Sequence, residues 1–255
     1  MLAAFHRDLI AAPFLGSRRL VLRNGSTHVQ NDLRDHAAKI SASSSFHLSQ
    51  KVHLDEHGHA LVWSDDKTSA ARQNRVKVIF SGRLLNYEEI CSLYYDCERM
   101  LRVHDPARLL LHLYLQGYKD QYGDPSDQPS TLLNSMEGDF NFILHDSNSR
   151  YTLVARKGAA PLFWGVDDGN GDNVIISTMR AYLSSFPAGC AFESQVNEEG
   201  EGDSRMFNFE RDSPSQRGVD TIRRIDSKGH LCGLMFKSRS GHDLVHVPLA
   251  PRNVF

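Results

Sequence analysis

The sequence predicts an α+β fold, and three observations carry that prediction. Short β-patterned runs follow one another from residue 140 to residue 236, with turn residues between them. Helical patterns are grouped between residues 87 and 136 instead of alternating with strands, which argues against a βαβ sheet. Hydrophobic residues make up 40% of the 255 and charged residues 24%, enough apolar material for packed layers.

In chain order, residues 2–5 are short and apolar and read as a buried first strand. Residues 16–45 scatter Gly, Asn and Ser, with a serine-rich run at 41–45, and read as loops around at most one helix. Residues 59–63 and 76–80 read as strands, apolar and partly β-branched. Residues 87–101 suit a helix. A second helix starts at Asp105-Pro106, with Asp as N-cap and Pro at the first helical position; Leu109, Leu110, Leu113 and Tyr114 form its apolar stripe. Residues 118–130 are a polar loop, and residues 130–136 a short third helix.

Strands then follow in series. Phe140, Phe142 and Leu144 alternate with Asn141, Ile143 and His145. Residues 151–155 pair back across a turn at 146–149. Residues 162–166 and 174–177 form a hairpin across 167–173, and 189–193 add one more strand. Residues 195–218 are acidic and Gly-containing and read as an exposed insertion around a short strand at 206–209. The tail carries strands near 221–225 and 231–236, joined by a turn at 226–229. One domain over residues 1–255 is expected.

The formal net charge is −2 with both signs interspersed, which gives no electrostatic case for nucleic acid or an anionic membrane as partner. No apolar run reaches the ~18 residues needed to span a bilayer. Arg7, Arg18, Arg19 and Arg23 against Asp8 give residues 1–30 the bias of an organellar presequence. A buried first strand is the preferred reading of their start. The expected location is cytoplasmic, with the nucleus as a second compartment and an organelle as the alternative. Cys91, Cys97, Cys190 and Cys232 form no CxxC pair and read as free thiols of a reducing compartment.

His53, His57 and His59 stand beside Asp55 and Glu56, but no fourth ligand follows at standard spacing, so solvent-exposed histidines outweigh a zinc site. Asp168, Asn170 and Asp172 mimic the start of a calcium loop. Asn173 and Met179 stand where its Gly and Glu belong, so this is a turn. Neither a metal nor another cofactor is expected.

The runs MEGDFNFILHD, YTLVARKGAAPLFWG and FPAGCAFES, with IFSGRLLNYEEI at 79–90, resemble the glutaminase domain of asparagine synthetase in their order. A closer resemblance is to the plant stem-specific or aluminium-induced protein family. There the counterparts are residues 1–5, 82–86, 186–194 and RRIDSKGHLCGLMFK at 223–237. The resemblance covers residues 1–6 and 57–237; residues 7–56 match poorly, and two short family signatures are not intact. It implies an Ntn-hydrolase-like αββα sandwich, two antiparallel sheets flanked by helices, of the class II glutamine amidotransferase type.

In such enzymes the resemblance implies a cysteine at position 2 whose thiolate attacks the glutamine amide and whose α-amine is the base. Position 2 here is Leu2, which offers neither. The oxyanion-hole Asn and Gly of the relatives map to Ser81 and Gly82, and their Glu to Arg83, with Asn86 closing the segment. The Asp that holds the glutamine α-amine maps to Asp105, which is also an N-cap. The relatives' carboxylate-binding Arg maps near His59, a weak substitute for a bidentate clamp. Cys190 reads as an inert thiol.

The leading expectation is a non-catalytic amidotransferase-like protein, with an unidentified protein partner or its own copy as ligand. The alternatives are an amino-acid sensor using Asp105 and Gly82, and a hydrolase with a substitute nucleophile such as Ser81.

Overall fold

The computed structural model describes residues 1–6, 51–54, 60–63, 68–94, 102–118, 129–166, 173–178, 183–197, 202–210, 218–225, 227, 231–238 and 243–248. Among these are three helices: α1 (Tyr87–Leu93), α2 (Pro106–Leu115) and α3 (Pro129–Ser135). The strands form two sheets in which every pairing is antiparallel.

The smaller sheet contains β1 (Leu2–His6), β2 (Lys51–Leu54), β3 (Ala60–Trp63), β8 (Phe163–Val166), β9 (Asn173–Ser177) and β10 (Ser184–Ser185), in the order β10-β8-β9-β1-β3-β2. The larger contains β4 (Thr68–Gln73), β5 (Val76–Leu84), β6 (Gly138–Asp146), β7 (Tyr151–Lys157), β11 (Cys190–Val196) and β12 (Gly202–Asn208), with β13 (Gly218–Ile225), β14 (Leu231–Ser238) and β15 (Asp243–Pro248) beyond. Its order is β15-β14-β13-β12-β11-β7-β6-β5-β4.

Strand side chains alternate between faces, so one strand feeds two cores. Val78 and Phe80 of β5, Phe140, Phe142 and Leu144 of β6, Leu153 and Ala155 of β7, and Ala191 of β11 pack with α1, α2 and α3 in one core. The intervening Ile79, Ile143, Val154, Cys190 and Phe192 enter a second core, between the sheets, with Met1, Ala3, Phe5, Leu162, Trp164, Val174 and Ile176. The layers therefore run helix, large sheet, small sheet. This is the predicted α+β architecture of two antiparallel sheets packed face to face. All described helices lie on the large sheet.

Sequence pattern explains most elements. Asp105 accepts from the Ala107 and Arg108 amides at 3.0 and 3.3 Å, and Pro106 opens α2. Leu109, Leu110 and Leu113 are buried as the stripe requires, and Leu111 with them. The helix starting at Tyr87 is shorter than expected. Its last helical residue is Leu93, because Tyr94 turns to extended backbone (φ −110°, ψ 148°) while its ring joins the helix-side core.

The strand expected at 206–209 is longer than its sequence pattern. β12 pairs with β11 from Gly202 to Asn208, and Met206, Phe207 and Phe209 are buried. That part is an interior strand of the large sheet, exposed only near its start. Residues 7–50, and with them the presequence and single-helix expectations, lie outside the described residues. So do His57, His59 and the calcium-like turn. No described helix is long and apolar enough to cross a membrane.

Candidate functional site

The expected site lies on β5, and its strand register decides which side chains meet. Thr68 pairs with Ser81, Ser81 with Asn141, Asn141 with Arg156, Arg156 with Cys190, and Cys190 with Asn208. Directly paired residues share a face, so these six form one row across the large sheet. Ile79, Ile143, Val154, Phe192, Met206 and Val219 form the next, wholly apolar row toward the middle of the strands. The first row is thus a polar strip at one end of the inter-sheet core.

Two members of that strip tie the sheets together. Asn141 Nδ2 donates to Pro161 O at 3.0 Å. Arg156 Nη1 donates to Ser185 Oγ at 3.1 Å and to the Phe186 carbonyl. Burial pulls the Arg156 guanidinium below its ordinary value, because the charged form loses water. Cys190, fully buried, is pushed up to about 12, first by burial and then by the Glu210 charge. A thiol held neutral in this way is a poor nucleophile.

Gly82 and Arg83 are exposed, and Ser81 is half-buried. Gly82 has φ +106°, and a Cβ there would overlap Asp139 O and lie 2.9 Å from Phe140 Cα. Gly138, on the facing strand, has φ +130°, and its Cβ would overlap Arg83 O. The two glycines let β5 and β6 cross at close range, a backbone reason sufficient for Gly82.

Asn86 is consumed by the fold. Its Nδ2 donates to Ser135 O at 2.8 Å and its Oδ1 accepts from Glu137 N at 2.8 Å, clasping the segment after α3. Asp105 is consumed as a cap, with Arg108 Nε at 3.3 Å from its second oxygen. It also sits on the other face of the sheet from Ser81. The Ala107 amide bonds Ser69 Oγ at 3.3 Å, and Ser69 pairs with Phe80, whose ring is in the helix-side core. Asp105 therefore lies toward the helix-side face of the sheet and Ser81 on the face toward the small sheet.

β1 lies between β9 and β3, with Leu2 paired to Ser177 and Val62. Its buried side chains in the inter-sheet core are Met1, Ala3 and Phe5. The Met1 carbonyl accepts from the Thr178 amide at 2.9 Å and from Ser177 Oγ at 3.3 Å. None of the inward side chains carries a thiol or hydroxyl.

Asn141 and Arg156 were not singled out from sequence. The signal was there: a polar residue inside FNF and an arginine inside LVAR, each at a position facing the small sheet. At the opposite end of the large sheet, Asn148, Ser149, Arg150, Gln195, Val196 and Asn197 border an open groove of about 640 Å³. Among the described residues, no group of three or more His, Cys, Asp or Glu side chains is placed to hold a metal ion.

A family model described as "Aluminium induced protein" matches residues 2–238. Among solved structures, the B. subtilis glutamine phosphoribosylpyrophosphate amidotransferase complexed with ADP and GMP overlaps 60% of this chain and 32% of its own, at 16% identity and TM-score 0.35. A structure described as the allosteric regulatory enzyme of purine biosynthesis overlaps 57% of this chain and 31% of its own, at 16% identity and the same TM-score of 0.35. The overlap thus spans about a third of each enzyme. No curated protein matches the sequence.

Proposed function

The chain belongs to the aluminium-induced protein family, and from that premise we propose that it is a non-catalytic relative of class II amidotransferases, working as an interaction module in a stress response. The observation that carries this reading is the first strand. Position 2 is Leu, and the inward side chains beside it are Met1, Ala3 and Phe5. Nucleophilic attack on an amide needs a thiolate or alkoxide with a base in reach, and these inward side chains carry no thiol or hydroxyl.

The glutamine contacts point the same way. Asn86 is saturated by Ser135 and Glu137, and Asp105 by its own helix and Arg108. Gly82 is explained by backbone approach. The sensor reading then has to draw on a carboxylate that already caps a helix. Of the two named candidates, Ser81 and Cys190, the substitute-nucleophile reading keeps Ser81, because Cys190 is buried and held neutral.

An interaction role has its own support. Leu85, Leu93 and Val103, within and beside α1, are 60%, 42% and 43% exposed. Burying them against a partner would remove their apolar area from water. The test is covalent labelling of the native protein with broad thiol- and hydroxyl-directed electrophiles, followed by peptide mapping. The reading expects no modified residue on β1 or β5. Stoichiometric modification of Ser81 overturns it in favour of a hydrolase.

A further inference from the structure

Asn141 and Arg156, direct partners across β6 and β7, each keep one buried polar atom that meets no protein partner: Asn141 Oδ1 and Arg156 Nε. Asn141 is 1% exposed, and both residues are otherwise bonded to the small-sheet side through Pro161, Ser185 and Phe186. Buried polar atoms are nearly always hydrogen-bonded, so two unsatisfied atoms on paired residues require an explanation.

The identity of each atom is fixed by its neighbours. Turning the Asn141 amide over would set its oxygen against the Pro161 carbonyl, so the unpaired atom is the acceptor. Arg156 Nε–H is a donor in every protonation state that matters here. The two atoms are therefore complementary to one atom that donates on one side and accepts on the other. An anion fails at Asn141 Oδ1, and a metal cation fails beside the guanidinium.

Both atoms belong to direct cross-strand partners, whose side chains stand next to each other on one face of the large sheet. We propose that a single resident water bridges Asn141 Oδ1 and Arg156 Nε and completes a polar clamp between the two sheets, beside Ser81. Buried waters of this kind satisfy two to four otherwise unpaired groups and are retained as parts of the structure. The bridge stands whether or not the protein turns over an amide.

The test is a crystal structure of the full chain at a resolution that shows ordered solvent, paired with NMR of the same unaltered protein labelled with ¹⁵N. The expected result is one isolated density peak within hydrogen-bond distance of both atoms. The Arg156 Nε–H should also show a cross-relaxation signal to water. In Asn141→Leu, with the remaining spectrum unchanged, that signal is lost. A direct bond from Arg156 Nε to Asn141 Oδ1 with no peak between them overturns the proposal. So does density of a molecule larger than one oxygen. The measurement on the unaltered chain decides the matter even if the variant does not fold.

Discussion

Replacing Gly82 with alanine tests whether that glycine belongs to the fold or to a lost active site. At φ +106° an L side chain is strained by about 1–3 kcal/mol before any contact is counted. The new Cβ would also overlap Asp139 O and crowd Phe140 Cα at 2.9 Å, and both obstacles are backbone of the paired strand. Backbone cannot rotate away like a side chain. β5 and β6 must part, and one weakened ladder bond adds about 1 kcal/mol. The expected loss for Gly82→Ala is about 2–4 kcal/mol. With a urea slope near 3 kcal/mol per molar, the unfolding midpoint falls by about 1 M. Gly138→Ala, whose Cβ would overlap Arg83 O, should behave alike. The double variant should lose less than the sum of the two single losses, because either change opens the same crossing. The exposed neighbour Arg83→Ala is the control and should stay within about 0.5 kcal/mol of the unaltered protein. A Gly82→Ala midpoint indistinguishable from that control would refute the close-approach argument and return Gly82 to the list of functional positions.

Other perturbations follow from the same contacts. Asp105→Ala removes the cap on the Ala107 and Arg108 amides and should cost about 1 kcal/mol in denaturant unfolding. Asn86→Ala breaks both bonds to the segment after α3, leaving partly buried Ser135 O unpaired, and should cost about 1–3 kcal/mol in the same assay. Cys190, with its proton held up to about 12, should resist alkylation in the native protein at pH 8 and react only on unfolding, as read by mass spectrometry. Its pH linkage has a definite sign. The folded state holds this proton more tightly than the unfolded chain, so its contribution is full below the ordinary thiol value and is lost as pH rises toward about 12.

Much of this architecture was legible because local and long-range preferences agree. Asp105-Pro106 announces a helix start, and the stripe of Leu109, Leu110 and Leu113 says which side is buried. The alternation in GDFNFILHD places Phe140, Phe142 and Leu144 on one face. Elements held by tertiary contact were harder to see. β4 has the unremarkable sequence TSAARQ and is a strand because β5 offers it an edge. Tyr94 ends α1 without any glycine or proline, because burying its ring outweighs another helical turn. Residues 206–209 read as a short strand, while the extension of that strand back to Gly202, through an acidic and glycine-containing run, comes from pairing with β11.

The site was legible in part. Ser81 does lie at the polar end of the inter-sheet core, beside Asn141. Asp105 lies toward the helix-side face, and spacing along the chain cannot tell which face of a sheet a capping residue overlies. Asn141 and Arg156 were visible as letters in quoted motifs, and only the register shows them paired and partly unsatisfied.

The proposed function requires that this chain turn over no glutamine. The most direct measurement is calorimetric titration of the purified full chain with L-glutamine. The account predicts no sustained heat and no released ammonia at any glutamine concentration. Sustained heat that scales with protein concentration, accompanied by glutamate and ammonia, would contradict it.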